Sequence, residues 1–209
     1  MASERIDRRR ARTRAALLQA GRALLAHRDV DALSVDEIVA AADVAKGSFY
    51  NHFADKDVFA REIGAAVRRE AEEAVNAANA GIDDPAARLA RALCVFVGFA
   101  ISHRDSAQLL WRLNSGATIA DAPVNRGLRE EVQRARLRPE FRDLDIETGV
   151  LLIMGTCVIS MRHVLEERAV TPVATVAARM AELLLRGLGL PRRRARSVAT
   201  RAAADLLLQ

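Results

Sequence analysis

Residues 34–53 read Ser-Val-Asp-Glu-Ile-Val-Ala-Ala-Ala-Asp-Val-Ala-Lys-Gly-Ser-Phe-Tyr-Asn-His-Phe, and the reading of this stretch decides the fold. It opens with Ser34-Val35-Asp36-Glu37, where the Ser34 hydroxyl can accept from the Glu37 amide while the Glu37 carboxylate accepts from the amide of Ser34. That reciprocal capping box marks a helix start. Val35, Ile38 and Val39 give the helix an apolar face. Asp43 occupies the turn that follows, and Asp tolerates a left-handed backbone better than most residues, though less easily than Gly. Val44 returns to the core, and a second helix is expected over 45–52. On it Phe49 and Phe53, four apart, share one side, whereas Lys46, Ser48, Tyr50 and His52 are polar enough to face a partner. The spacing is that of a DNA-reading helix-turn-helix, anchored by its aromatics and reading with its rim.

With Lys56 and Phe59 following it, the run Lys46-Gly47-Ser48-Phe49-Tyr50-Asn51-His52-Phe53 closely resembles a known recognition helix and the entrance to the helix after it. The family it resembles is the tetracycline-repressor (TetR) family of bacterial transcription regulators. The resemblance extends over 13–59 and rests on an ordered combination: the capping box, the aromatic pair and the basic residue entering the next helix. Asp43 stands where the family usually has Gly, and Ala45 where it usually has a hydroxyl N-cap, whose loss costs about 1 kcal/mol. The resemblance implies that Ser34 and the helix N-terminus behind it bind a phosphate through exposed amides. It also implies that Tyr50 and His52 contact DNA backbone or base edges and that Lys56 anchors a phosphate. Lys46 and Ser48 are the candidates for reading bases, and Gly47 lets the helix approach the groove closely because no side chain intervenes. Phe49 and Phe53 are expected to be structural.

The 209 residues are 51% hydrophobic, ample for a core, and fit one large domain or a small one fused to a medium one. No period-2 stretch of β-branched and aromatic residues appears, so the fold class expected is all-α. Basic residues outnumber acidic ones by 32 to 27, and the +5 excess sits at the two ends. Arg5, Arg8, Arg9, Arg10, Arg12 and Arg14 meet only Glu4 and Asp7 at the front; Arg192, Arg193, Arg194, Arg196 and Arg201 meet only Asp205 at the back. A basic arm ahead of a helix-turn-helix would neutralise phosphates, releasing counterions, and minor-groove insertion is a further use; a solvated, partly frayed terminus is the alternative. The rear cluster follows Pro191 and precedes Val198, Leu206 and Leu207, which favours an extra terminal helix over a second DNA contact.

Cys94 and Cys157 lack the spacing of a metal knuckle or redox pair and are expected to be buried thiols. The most apolar runs, 93–101 and 150–161, are broken by Arg or His well short of the ~20 residues that span a membrane. No secretory signal precedes them, so a soluble, cytoplasmic protein without membrane contact is expected.

The first helix is expected from near residue 7 to 27, with Leu17, Gly21, Leu24 and Leu25 forming a stripe that packs on the two reading helices, and 28–33 as a loop. A long helix from 55–57 to about 80 links this unit to the rest. Asp84 as N-cap, with Pro85 at the first helical position, starts a helix through 102. Shorter helices follow around 106–114 and 124–136, with 116–123 the clearest loop. The last two long helices are expected over 146–168 and, capped by Thr171, over 172–187.

Those last two are unusually apolar. Leu151, Leu152, Met154, Val158, Ile159, Met161 and Val164 cover more than one face of the former, and Val176, Met180, Leu183, Leu184 and Leu185 of the latter. A second subunit would bury the surplus, ordinary intrachain packing being the alternative. In the resembling family this final pair forms a four-helix bundle across a two-fold axis, and Gly155, Thr156 and Ser160 would permit close approach. A homodimer would present two recognition helices to half-sites about one helical turn apart, ~34–36 Å. The resemblance further implies a small hydrophobic effector in the C-terminal helices, opposing DNA through one coupling free energy. Candidate pocket residues are Phe96, Phe99, His103, Trp111, Asn114, Met154, Cys157 and Met161, although aromatic and Met residues at helical spacing are also ordinary core.

No Gly-rich phosphate loop or nucleophile elbow occurs, and His27, His52, His103 and His163 are scattered without partners at ligand spacing, so no enzyme, metal or cofactor is expected. The expected division is a DNA-binding domain over 1–54, a regulatory and dimerisation domain over 55–190 and a helical basic extension over 191–209. The function implied is a ligand-responsive, sequence-specific transcriptional regulator, most simply a repressor released from operator DNA by its effector. The alternative is an effector- or protein-binding module that keeps the fold and has lost specific DNA recognition.

Overall fold

The computed structural model describes residues 2–113, 125–166 and 170–208, with side chains described from residue 7 onward. Among these residues the chain is all-α, with no strand. Its helices are α1 (Ala2–His27), α2 (Val35–Ala41), α3 (Lys46–Tyr50), α4 (Lys56–Ala78), α5 (Pro85–Ser102), α6 (Arg104–Arg112), α7 (Arg126–Ala135), α8 (Ile146–Leu165), α9 (Val173–Gly187) and α10 (Arg192–Leu207). Asn114 and the loop expected over 116–123 lie outside the described residues.

Local chemistry explains most of the boundaries. α2 begins at the capping box: the Glu37 amide donates to the Ser34 hydroxyl at 3.2 Å and the Ser34 amide to the Glu37 carboxylate at 2.8 Å. Asp43 carries the turn at φ 52°, the left-handed conformation expected of it. Asp84 accepts from the Ala86 amide at 3.2 Å with Pro85 opening α5. Asp145 likewise caps α8, accepting from the Thr148 amide at 2.9 Å, which holds its carboxyl below the ordinary range.

Four expectations need correction. α1 reaches back to Ala2, ahead of the start expected near residue 7. The stretch 28–33 contains a 3-10 turn, Val30–Ala32, not a plain loop. α8 ends at Leu165, where Arg104 donates to the Leu165 carbonyl. α9 is not capped by Thr171: the extended residue before the helix is Pro172 and no side chain caps the helix, which leaves Thr171 one position too early to reach its first-turn amides.

The chain divides into two compact units, Met1–Arg69 with Asp105–Asn114, and Glu70–Arg104 with Ser115–Gln209. In the first, Phe49, Phe53 and Phe59 are buried with ring centroids 4.8–5.5 Å apart, and Leu17, Leu25, Ile38 and Ile63 are buried in the same unit. A Cβ on Gly21 would come within 2.2 Å of the Phe59 ring, so α1 meets α4 closely only because residue 21 has no side chain. This turns Gly21 toward α4. α6 joins this unit through polar contacts: Arg22 donates to the Ser106 hydroxyl at 2.9 Å, and Arg112 pairs with Asp29 at 3.0 Å.

In the second unit α5, α8, α9 and α10 enclose a core that includes Leu89, Leu93, Cys94, Val97, Val150, Ile153, Leu184 and Leu185. α10 packs on α9 and α5, burying Ala195, Ala199, Ala202 and Ala203, so the basic extension is a helix of the core. Arg194 pairs with Asp84 and Glu140. α5 and α8 are, by length and composition alone, long and apolar enough to cross a membrane, more than the interrupted sequence runs suggested; both bury a face in this core.

Candidate nucleic-acid interface

α3 is a short helix with two unlike sides. Its buried side is Phe49, continued just past its end by Phe53. Ala45 offers no side-chain cap, so backbone bonds across the turn do the fixing: the Val44 amide donates to the Val39 carbonyl at 3.0 Å and the Ser48 amide to the Ala45 carbonyl at 2.8 Å. On the other side Lys46, Gly47 and Tyr50 are exposed, while Ser48 and His52 are half-buried. Tyr50 is 56% exposed, its ring edge-on to Phe49 at 5.4 Å. A Cβ placed on Gly47 would meet nothing within 4 Å, so the fold itself makes no demand for glycine there.

The N-terminus of α2 is already occupied by a carboxylate of its own. Glu37 takes the Ser34 amide and hydroxyl, and Arg28 donates to it at 2.7 Å while also donating to the Ala32 carbonyl. The Arg28 bond first, then those from Ser34, hold the Glu37 carboxyl down to about 2. The Ser34 amide is thus engaged by Glu37 rather than presented outward.

The chain's only lysines are Lys46 and Lys56, and each is held in place. The Lys46 ammonium lies 2.8 Å from one Asp36 carboxylate oxygen and 2.9 Å from the other, which raises its pKa. Lys56 donates to the carbonyls of Val30, at 3.1 Å, and Leu33, at 2.6 Å. His52 titrates below its ordinary value because of burial first, then the nearby positive charges of Arg10 and Arg14. Arg14 also lies over the Phe53 ring, 5.5 Å from its centroid, and pairs with Glu62.

Sequence reasoning missed Asp36, and it left Arg10 and Arg14 in a basic arm with no link to His52. A helical signal for the latter was present: residues 10, 14, 17 and 21 follow helical spacing, continuing the stripe already read from Leu17 and Gly21.

The expected effector residues fall in different settings. Phe99, Cys157 and Met161 are buried, Phe96 and Met154 half-buried, and His103 is exposed and stacked on Phe99 at 5.0 Å. Phe96, Met154 and Cys157 are part of, or packed against, the C-terminal core, whereas Trp111 belongs to the N-terminal unit. Burial pushes the Cys94 and Cys157 thiols up to about 12. On α8 Leu151, Leu152, Gly155 and Ile159 are exposed, as is Leu183 on α9. The Thr156 and Ser160 hydroxyls donate back to their own helix, to the Leu152 and Thr156 carbonyls, each at 2.7 Å.

Residues 17–63, which span the capping box, the Asp43 turn, α3 and the start of α4, match the family model for bacterial regulatory proteins, tetR family. The chain carries a TetR-family domain. Solved structures extend the likeness beyond that domain. CprB from Streptomyces coelicolor, in complex with its biological operator sequence, is 22% identical with a TM-score of 0.66, over 94% of this chain and 99% of that one. A gamma-butyrolactone receptor (ArpA-like protein) is 22% identical with a TM-score of 0.65, over 94% and 98%. RolR in complex with resorcinol is 22% identical with a TM-score of 0.63, over 93% and 96%. At this identity the likeness shows the fold alone, and it extends over nearly the whole chain. No curated protein matches it.

Proposed function

We propose that the chain is a sequence-specific DNA-binding transcriptional regulator that responds to a ligand, most simply a repressor released from its operator by a small hydrophobic effector. The observation that carries this reading is the two-sided α3, with Phe49 locked among aromatic rings while Lys46, Gly47 and Tyr50 stand exposed. Likeness to CprB, solved with operator DNA, supports the DNA half; likeness to RolR with resorcinol and to a gamma-butyrolactone receptor supports the ligand half.

In this reading Lys46 and Ser48 reach base edges, and Gly47 admits the groove closely. Tyr50 and His52 contact backbone or base edges, and Lys56 lies at a phosphate. Phe96, Phe99, His103, Met154, Cys157 and Met161, all in the second unit, are the effector candidates. α8 and α9, with Leu151, Leu152, Ile159 and Leu183 exposed, form the two-fold interface of a homodimer. The functional division is 1–54 for DNA, 55–190 for regulation and dimerisation, and 191–209 as the basic extension. A module that has lost DNA recognition was suggested by Asp43 in place of Gly; Asp43 adopts the left-handed conformation of such a turn, so no observation favours that alternative.

Selection of bound fragments from a random duplex pool by the full chain tests the reading. The expected outcome is one enriched, pseudo-palindromic sequence with half-sites about one helical turn apart, ~34–36 Å. A pool from which no sequence is enriched would sink it.

A further inference from the structure

We propose that Asp36 is a specificity-determining residue: it holds the Lys46 ammonium against α2 and away from phosphates, so that the Lys46 charge serves base recognition rather than affinity for any duplex. This rests on the DNA-reading function above.

Asp36 lies in the first turn of α2 and Lys46 opens α3, so their pairing spans the helix-turn-helix. The ammonium bridges both carboxylate oxygens, at 2.8 and 2.9 Å. The two side chains are 58% and 68% exposed, so the pair sits on the rim and, as a solvated surface ion pair, adds little to the fold. Tyr50 is near enough to interact electrostatically with Lys46, and the surface at Gly47 is bare. Asp36 therefore positions the sole lysine of α3 within the rim that faces outward.

An ammonium has three donors. One is directed at an Asp36 oxygen, with the other oxygen in ion-pair contact, so two N–H groups remain. A phosphate approaching them meets the Asp36 carboxylate at close range and is repelled. A guanine edge presents neutral acceptors, O6 and N7, and takes the remaining N–H groups without that conflict. The ion pair thus discriminates between a base edge and the backbone charge that every sequence shares.

The test compares the full-length wild type with Asp36→Asn on the sequence selected from the random pool and on random duplex, across a salt series. Asp36→Asn is expected to strengthen random-duplex binding more than operator binding, lowering the specificity ratio about tenfold, the order of one lost base contact. Its salt slope on random duplex should steepen by about 0.9, the increment for one further neutralised phosphate. In a Lys46→Met background the same change should leave the ratio unaltered, because the effect passes through Lys46. Equal strengthening on both DNAs, or an undiminished effect in the Lys46→Met background, would overturn the proposal. A wild type that discriminates alongside an Asp36→Asn that discriminates equally removes Asp36 alone. A wild type that prefers no sequence removes the DNA-reading function and this proposal with it.

Discussion

The Lys56 ammonium donates at 2.6 Å to the carbonyl of Leu33, so the first residue of α4 closes the segment that leads into α2. A second bond to the Val30 carbonyl, at 3.1 Å, makes it a clamp on the 3-10 turn. Lys56 therefore has a role in the fold before any DNA arrives. Lys56→Met should lower stability by about 1–3 kcal/mol, since hydrogen bonds from charged groups contribute ~1.5–3 kcal/mol, read in urea unfolding. One N–H is left over for a phosphate, so the salt slope of DNA binding should also become shallower by about 0.9. A stability loss with an unchanged slope would assign Lys56 to the fold alone.

Gly47→Ala should move stability and binding in opposite directions. The open space around the position admits a methyl group, and Ala in a helix is about 0.5–1 kcal/mol better than Gly. The variant should therefore gain up to that much in thermal or urea unfolding while binding operator more weakly, because the methyl group stands between α3 and the groove. Gained stability with unaltered operator binding would take Gly47 off the interface.

Glu37 predicts a specific acid sensitivity. Its carboxyl titrates at about 2 in the folded chain against an ordinary 4.5, through Arg28 first and then Ser34. The unfolded chain takes up that proton first, so the stabilisation is fully present above about 4.5 and is lost as pH falls toward about 2. Glu37→Gln should flatten the fall in unfolding free energy across this window. Wild type and variant losing stability in parallel would contradict the assignment.

The exposed apolar residues of α8 and α9 predict the oligomeric state. Ile159 is 54% exposed and Leu183 57%. Burying such a side chain contributes about 1.5–3 kcal/mol, and a two-fold axis repeats each contact. Ile159→Asp with Leu183→Asp should raise the dimer dissociation constant by ~100-fold or more, read by sedimentation equilibrium. A double variant that stays as dimeric as wild type would place the interface elsewhere.

What the sequence disclosed was local. Ser34 with Glu37, Asp84 with Pro85, and the Phe49–Phe53 pair each lie within four residues, where helix geometry alone fixes who meets whom. The left-handed turn at Asp43 was legible from residue type. The polar contacts of the candidate site were not. Asp36 meets Lys46, Lys56 meets Leu33, and Arg10 and Arg14 approach His52 only once the turn and the packing of α1 are set. The start of α9 was misplaced because the backbone of Pro172, not the hydroxyl of Thr171, decides where the helix begins.

Whether the exposed rim of α3 reads sequence is decided by equilibrium binding of the full chain to its selected operator, at two salt concentrations, with random duplex as competitor. A reading rim gives a preference for operator of at least about 10³-fold, with both affinities falling as salt rises. Salt-sensitive binding that favours the operator less than about tenfold would mean that the chain grips phosphates without reading bases.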